Sequence, residues 1–168
     1  MNRLVAAVAV VCLAASVNDL RAADETVAVA AYDLSFAMPG KPKDDGAGNY
    51  TFTTDNSNTI YKVALATAGA SMEPTASTNL DSLRDLEVKN LNGKLISEKA
   101  FTLGGHKGRE FSIIVPGEVE ILAHFYAVVA DKRLIELIVI RSPDSEVSPA
   151  AVKRFFSSLK LGLGVTPQ

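Results

Sequence analysis

The chain has 168 residues, enough for one domain and too few for two comfortable ones. Apolar residues make up 48% and charged residues 21%, with 17 Lys+Arg against 19 Asp+Glu for a net charge of −2. This excludes a disordered or collagen-like chain and a basic nucleic-acid footprint, and a lone Cys excludes an internal disulfide or a Cys-rich zinc site.

Residues 1–22, MNRLVAAVAVVCLAASVNDLRA, read as a secretory signal peptide. Arg3 supplies the positive start, and Leu4 to Val17 form an apolar stretch interrupted only by Ser16. The stretch is shorter than the roughly 20 residues of a membrane span. A cut after Ala22 puts Leu20 at the −3 position; cuts after Ser16 and Ala23 also remain open. Cys12 does not suit a lipoprotein site, because Val11 precedes it and it lies inside the apolar run. Loss of Arg3, Arg21 and Asp19 leaves a mature chain with an excess of three acidic residues and no Cys. The chain is therefore expected to be exported, periplasmic or extracellular, with no stable membrane span after cleavage. Residues 23–32 are expected to be a flexible leader, 33–161 a single domain, and 162–168 a tail.

Asp33 to Met38 predicts a strand, with Leu34, Phe36 and Met38 on one face. Pro39-Gly40-Lys41-Pro42 breaks it, and 43–48 reads as a polar turn. Asn49 to Thr54 and Thr59 to Thr67 predict two strands of a hairpin around Asp55-Asn56-Ser57-Asn58. Residues 68–76 are a loop. A helix follows, capped by Ser77 or Thr78, with Leu80, Leu83 and Leu86 or Glu87 at helical spacing and Asn92-Gly93 as its stop.

Leu95 to Leu103 predicts a strand, Gly104 to Gly108 a glycine corner, and Arg109 to Val115 another strand. Val119 to Ala130 and Arg133 to Arg141 are nearly continuous apolar runs joined by Asp131-Lys132. Such runs suit central strands covered on both faces. The last element is a helix: Ser148 caps it, Pro149 opens it, and Val152, Phe155, Phe156 and Leu159 form its apolar stripe. The resulting class is α+β, a mostly antiparallel sheet with helices packed on its faces.

Four segments carry a family resemblance. They are DLSFAMPGKPKDD at 33–45, GGHKGRE at 104–110, the hairpin at 119–141, and RFFSSLKL at 154–161. Together they resemble small exported bacterial proteins related to the PsbP-like fold, whose other members include an extrinsic photosystem II subunit and the Ran-binding Mog proteins. The resemblance implies an α/β/α sandwich and no conventional enzyme activity. It also implies a departure. Where the group carries R-x-Y, this chain reads His124-Phe125-Tyr126, so His124 stands where an Arg partner for Glu110 is expected.

His106, Glu110, His124 and Glu136 are the residues with metal-ligand chemistry, and a cross-strand pair of His124 with Glu110 or Glu136 is the plainer reading. The same side chains could in principle exchange protons near neutral pH, but Ser112 has no nucleophile elbow around it. The Gly104–Gly108 segment leads into a strand, so it is a corner and not a phosphate-cradling loop. Lys107, Arg109, Lys153 and Arg154 are candidate contacts for a partner, with the loops at 40–48, 68–76 and 104–108 beside them. No cofactor is expected. The functional expectation is an exported, non-catalytic binding or accessory protein acting on an envelope or extracellular partner. A metal-binding protein or enzyme using the His/Glu set, and a purely structural exported domain, are the alternatives.

Overall fold

A computed structural model describes residues 24–162, apart from 57, 68–75 and 132. The expected signal peptide, most of the expected 68–76 loop and nearly all of the expected tail lie outside the described residues. In chain order the elements are β1 (Glu25–Val29), a 3-10 turn (Ala30–Tyr32), β2 (Leu34–Met38), β3 (Lys43–Asp44), β4 (Asn49–Thr53) and β5 (Thr59–Thr67). Then come α1 (Ala76–Asn90), β6 (Lys94–Leu103), β7 (His106–Val115), β8 (Ile121–Ala130), β9 (Arg133–Arg141), α2 (Pro149–Ser157) and β10 (Lys160–Leu161).

Seven strands form one antiparallel sheet in the order β3-β4-β5-β9-β8-β7-β6, and β1-β2-β10 form a smaller one. The expected α+β sandwich is thus present. Side chains alternate across each strand, so the register assigns every residue of the large sheet to one of two faces. One face carries Tyr61, Val63, Val128, Ile135, Leu137 and Val139, and packs against β2 and the α2 stripe. The other carries Phe111, Ile113, Ala123, Ala127 and Leu134 and packs against α1. This double covering is why β8 and β9 are apolar on both sides.

Local chemistry explains the element ends. Ser148 Oγ accepts the Ala151 amide at 3.2 Å, with Pro149 at the first helical position, as the sequence predicts. Val152, Phe155, Phe156 and Leu159 are all buried. α1 ends where Asn92 turns left-handed (φ 48°), the Gly93 amide reaches back to the Val88 carbonyl and the Asn92 amide to that of Lys89. Gly93 is needed there: a Cβ would stand 2.8 Å from the Ile114 carbonyl oxygen and 2.3 Å from an Ile113 methyl.

Four expectations need correction. Residues 25–29 are not a flexible leader; β1 pairs with β2 from Glu25↔Met38 to Val29↔Leu34. The 43–48 segment is not only a turn, because Lys43 and Asp44 pair with Thr51 and Tyr50. The corner at 104–108 is only two residues long: Gly104 (φ 56°) and Gly105 (φ 86°) make a tight hairpin turn, and His106, Lys107 and Gly108 already belong to β7. Finally, the chain forms a short strand after α2, with Lys160 opposite Ser35.

Candidate functional site

The four metal candidates do not come together. The β8–β9 register sets Ala127 opposite Glu136 and His124 opposite Val139. His124 therefore lies on the α2 face and Glu136 on the α1 face. His106 shares the α2 face with Glu110 but sits four residues further along β7, about 13 Å away. It lines a separate cleft with Asp33, Asp131 and Arg133. Among the described residues, no three His, Cys, Asp or Glu side chains are grouped to hold a metal ion.

Nor does His124 pair with Glu110 or Glu136. The β7–β8 register puts Ser112 opposite His124 and Tyr126 opposite Glu110. Ser112 Oγ lies 2.8 Å from His124 Nδ1. The other ring nitrogen, Nε2, is buried and has no hydrogen-bond partner among the described residues. Burial, and then the Arg141 charge, hold the imidazole below its ordinary pKa, so it is neutral at pH 7.

His124 lines a cavity of about 360 Å³ between α2 and the large sheet. Lys99, Arg141 and Lys153 carry positive charge around it, Glu110 is its one carboxylate, and Val152 and Phe156 supply apolar wall. The Arg141 guanidinium is held in place by donating to the Val147 carbonyl at 3.0 Å. Phe156 stacks on Tyr126 at 5.3 Å between ring centroids, and Tyr126 on Phe101 at 4.1 Å. Burial, then the Glu110 charge, push the Tyr126 phenol up. Two of the site candidates from the metal set, Glu110 and His124, and one from the partner set, Lys153, thus converge on one cavity. Lys99 and Arg141 were missed. Both could have been found from strand parity, since Lys99 faces Glu110 across the β6–β7 pair and Arg141 faces Leu122, two residues from His124.

The other partner candidates behave differently. Lys107 is exposed on β7. Arg109 is committed inside the molecule, bridging Asp81 of α1 at 2.7 Å and the Glu98 carboxylate of β6. Arg84 joins the same carboxylate at 2.6 Å. Partial desolvation raises Glu98, but the Arg109 and Arg84 guanidiniums outweigh it and hold the carboxyl below its usual range. These bridges tie α1 to the sheet. Arg109→Met is expected to lower the unfolding free energy by about 1–2 kcal/mol in urea titrations, between the values for exposed and buried pairs. A change under about 0.5 kcal/mol would return Arg109 to the class of free surface cations.

Arg154 bridges Asp24 at 3.3 Å at the edge of a second cavity, of about 430 Å³. That cavity is larger, yet several of its polar groups already have partners. Thr59 Oγ1 and Ser145 Oγ share a 2.5 Å hydrogen bond, and Ser148 Oγ caps α2. The smaller cavity, with three cations and the His124 imidazole around it, is the better candidate site.

On the opposite face Glu136 stands near Glu87 of α1 and Lys62 of β5. Burial first, then the Glu87 charge, push its carboxyl up to about 7 against a smaller opposing pull from Lys62. Its Oε1 is buried and has no hydrogen-bond partner among the described residues. Glu87, not Leu86, takes the inward position on α1, as Leu86 is half exposed.

No protein-family model matches the sequence. No curated protein matches it either. Solved structures do. The solution structure of cyanobacterial PsbP (CyanoP) from Synechocystis sp. PCC 6803 superposes with a TM-score of 0.62 at 14% identity, over 87% of this chain and 97% of that one. A point mutant of the protein Mog1 superposes with a TM-score of 0.53 at 8% identity, over 83% of this chain and 96% of that one. At such identities the likeness speaks for the backbone alone, and on that ground the chain has the fold shared by PsbP and Mog1.

Proposed function

We propose that the chain is an exported, non-catalytic binding or accessory protein whose ligand seats in the cavity around His124. One observation carries the reading: three cations, Lys99, Arg141 and Lys153, gather around a cavity whose wall includes the half-buried His124 imidazole. Cations gathered at one cavity repel one another, so an anionic group of a ligand is what such a place would take up. Export rests on residues 1–22, and among the described residues no helix is long and apolar enough to cross a membrane.

The test is capture of partners by tagged protein from the native envelope fraction, with the intact mass of the bait measured alongside. The mass is expected to begin at Ala23, the result of a cut after Ala22. Lys99→Glu combined with Lys153→Glu is expected to reduce recovery of the main partner at least about tenfold, roughly 1.4 kcal/mol of binding. Both side chains are exposed, so the variant leaves the core untouched. Equal recovery by wild type and variant would remove the cavity from the binding surface.

A further inference from the structure

We infer that the His124 cavity is a site for a phosphate group, either free phosphate or a small phosphate monoester. This rests on the binding role proposed above and names the chemistry of its ligand. Lys99, Arg141, Lys153 and His124 all line the cavity, and the three cations give it three potential donors and a surplus of positive charge. Arg141 is already oriented by its bond to the Val147 carbonyl. His124 Nδ1 meets the Ser112 hydroxyl at 2.8 Å and its Nε2 is buried, so the imidazole stands as part of the cavity wall beside these cations. One oxyanion would accept hydrogen bonds from these cations and neutralise them together.

Glu110 decides which oxyanion. A carboxylate repels an anion unless the anion donates a hydrogen bond to it. Free phosphate keeps a P–O–H on both sides of its second ionisation, and a monoester keeps one in its singly protonated form, whose ionisation at pH ~6 leaves part of it populated at neutrality. Sulfate and carboxylate have no such proton at neutral pH. The volume of about 360 Å³ also leaves room beside the phosphate, along Val152 and Phe156, for a short organic group.

The experiment titrates ¹⁵N-labelled protein with inorganic phosphate, sulfate and glycerol phosphate at constant ionic strength. It reads affinity by calorimetry and the His124 ring nitrogens by NMR. Phosphate or its ester is expected to bind at least about tenfold more tightly than sulfate. Tighter binding of the ester would identify the monoester as the ligand, and equal binding free phosphate. The His124 ring nitrogens are expected to shift on binding, since the ring lines the cavity. Lys99→Gln with Lys153→Gln should weaken phosphate at least about tenfold, and Glu110→Gln should erase the preference over sulfate. Three results would each overturn the inference: equal affinity for phosphate and sulfate, an unmoved His124 ring, or full binding by the double variant. Lysine-dependent capture of a partner without any phosphate binding would also overturn it, while leaving the accessory role in place. Phosphate binding without capture would sustain it and remove the protein partner.

Discussion

Replacing Glu136 by Gln is expected to make the protein more stable at pH 8 by up to about 3 kcal/mol, and to change little at pH 5. The reason is the environment of the carboxyl. Burial, then the Glu87 charge, raise its folded-state pKa from the ordinary 4.5 to about 7. The folded chain therefore keeps a proton that the unfolded chain loses. Stability from the neutral carboxyl is fully present below about pH 4.5. It declines as pH rises and is gone once pH passes about 7. Glu87 is itself raised by burial, which adds a slope of the same sign. Gln keeps the shape and never ionises, so the difference between variant and wild type isolates Glu136. Urea unfolding at pH 5, 6, 7 and 8 measures it; parallel curves for the two proteins would show that Glu136 is not held neutral.

Phe156→Ala should cost about 3–5 kcal/mol, a large share of a typical domain's stability. Phe156 is buried and begins a column of rings: Phe156 on Tyr126, Tyr126 on Phe101. The column ends on Gly108, where a Cβ would lie 2.2 Å from the Phe101 ring, so the glycine is what lets the ring lie flat across β7. Truncating Phe156 leaves a void between α2 and the sheet and removes part of the apolar wall of the His124 cavity. Loss of ligand binding in this variant should therefore accompany the loss of stability. Phe156→Leu should cost less, as it keeps most of the buried volume. Denaturant titration separates them; a cost below about 1 kcal/mol for the alanine variant would mean that α2 re-seats without this ring.

Much of the candidate site was legible one strand at a time, and the error came in joining strands. The apolar runs either side of Asp131-Lys132 announce a hairpin with a two-residue connection. That connection alone dictates the register, Ala130 opposite Arg133 and hence His124 opposite Val139. Glu136 then has the wrong parity to share a face with His124. A cluster drawn from residue types ignored a constraint that the turn length already carried. Arg109 shows a different limit. Nothing in its neighbourhood in sequence points to Asp81 or Glu98, because α1 docks on β7 only in the folded molecule.

The sequence by itself determined the elements whose signals are local. β5 spans Thr59–Thr67 as its turn residues and alternation require, α2 starts at its Ser148 cap and buries its stripe, and α1 stops at Asn92-Gly93. The class followed from their order. Only the tertiary structure decided what depends on distant partners. β1 and the two-residue β10 are strands because β2 offers them edges, and Ser158 Oγ accepts the Ala37 amide at 2.9 Å across 121 residues of chain. The cavity is of the same kind. Lys99, Glu110, His124, Arg141 and Lys153 lie on five different elements, and α2 must pack over the sheet before their charges meet. Hydrogen bonds within an element and its caps are written in neighbouring residues, whereas edge pairing and shared burial depend on which surfaces the whole chain leaves to be covered.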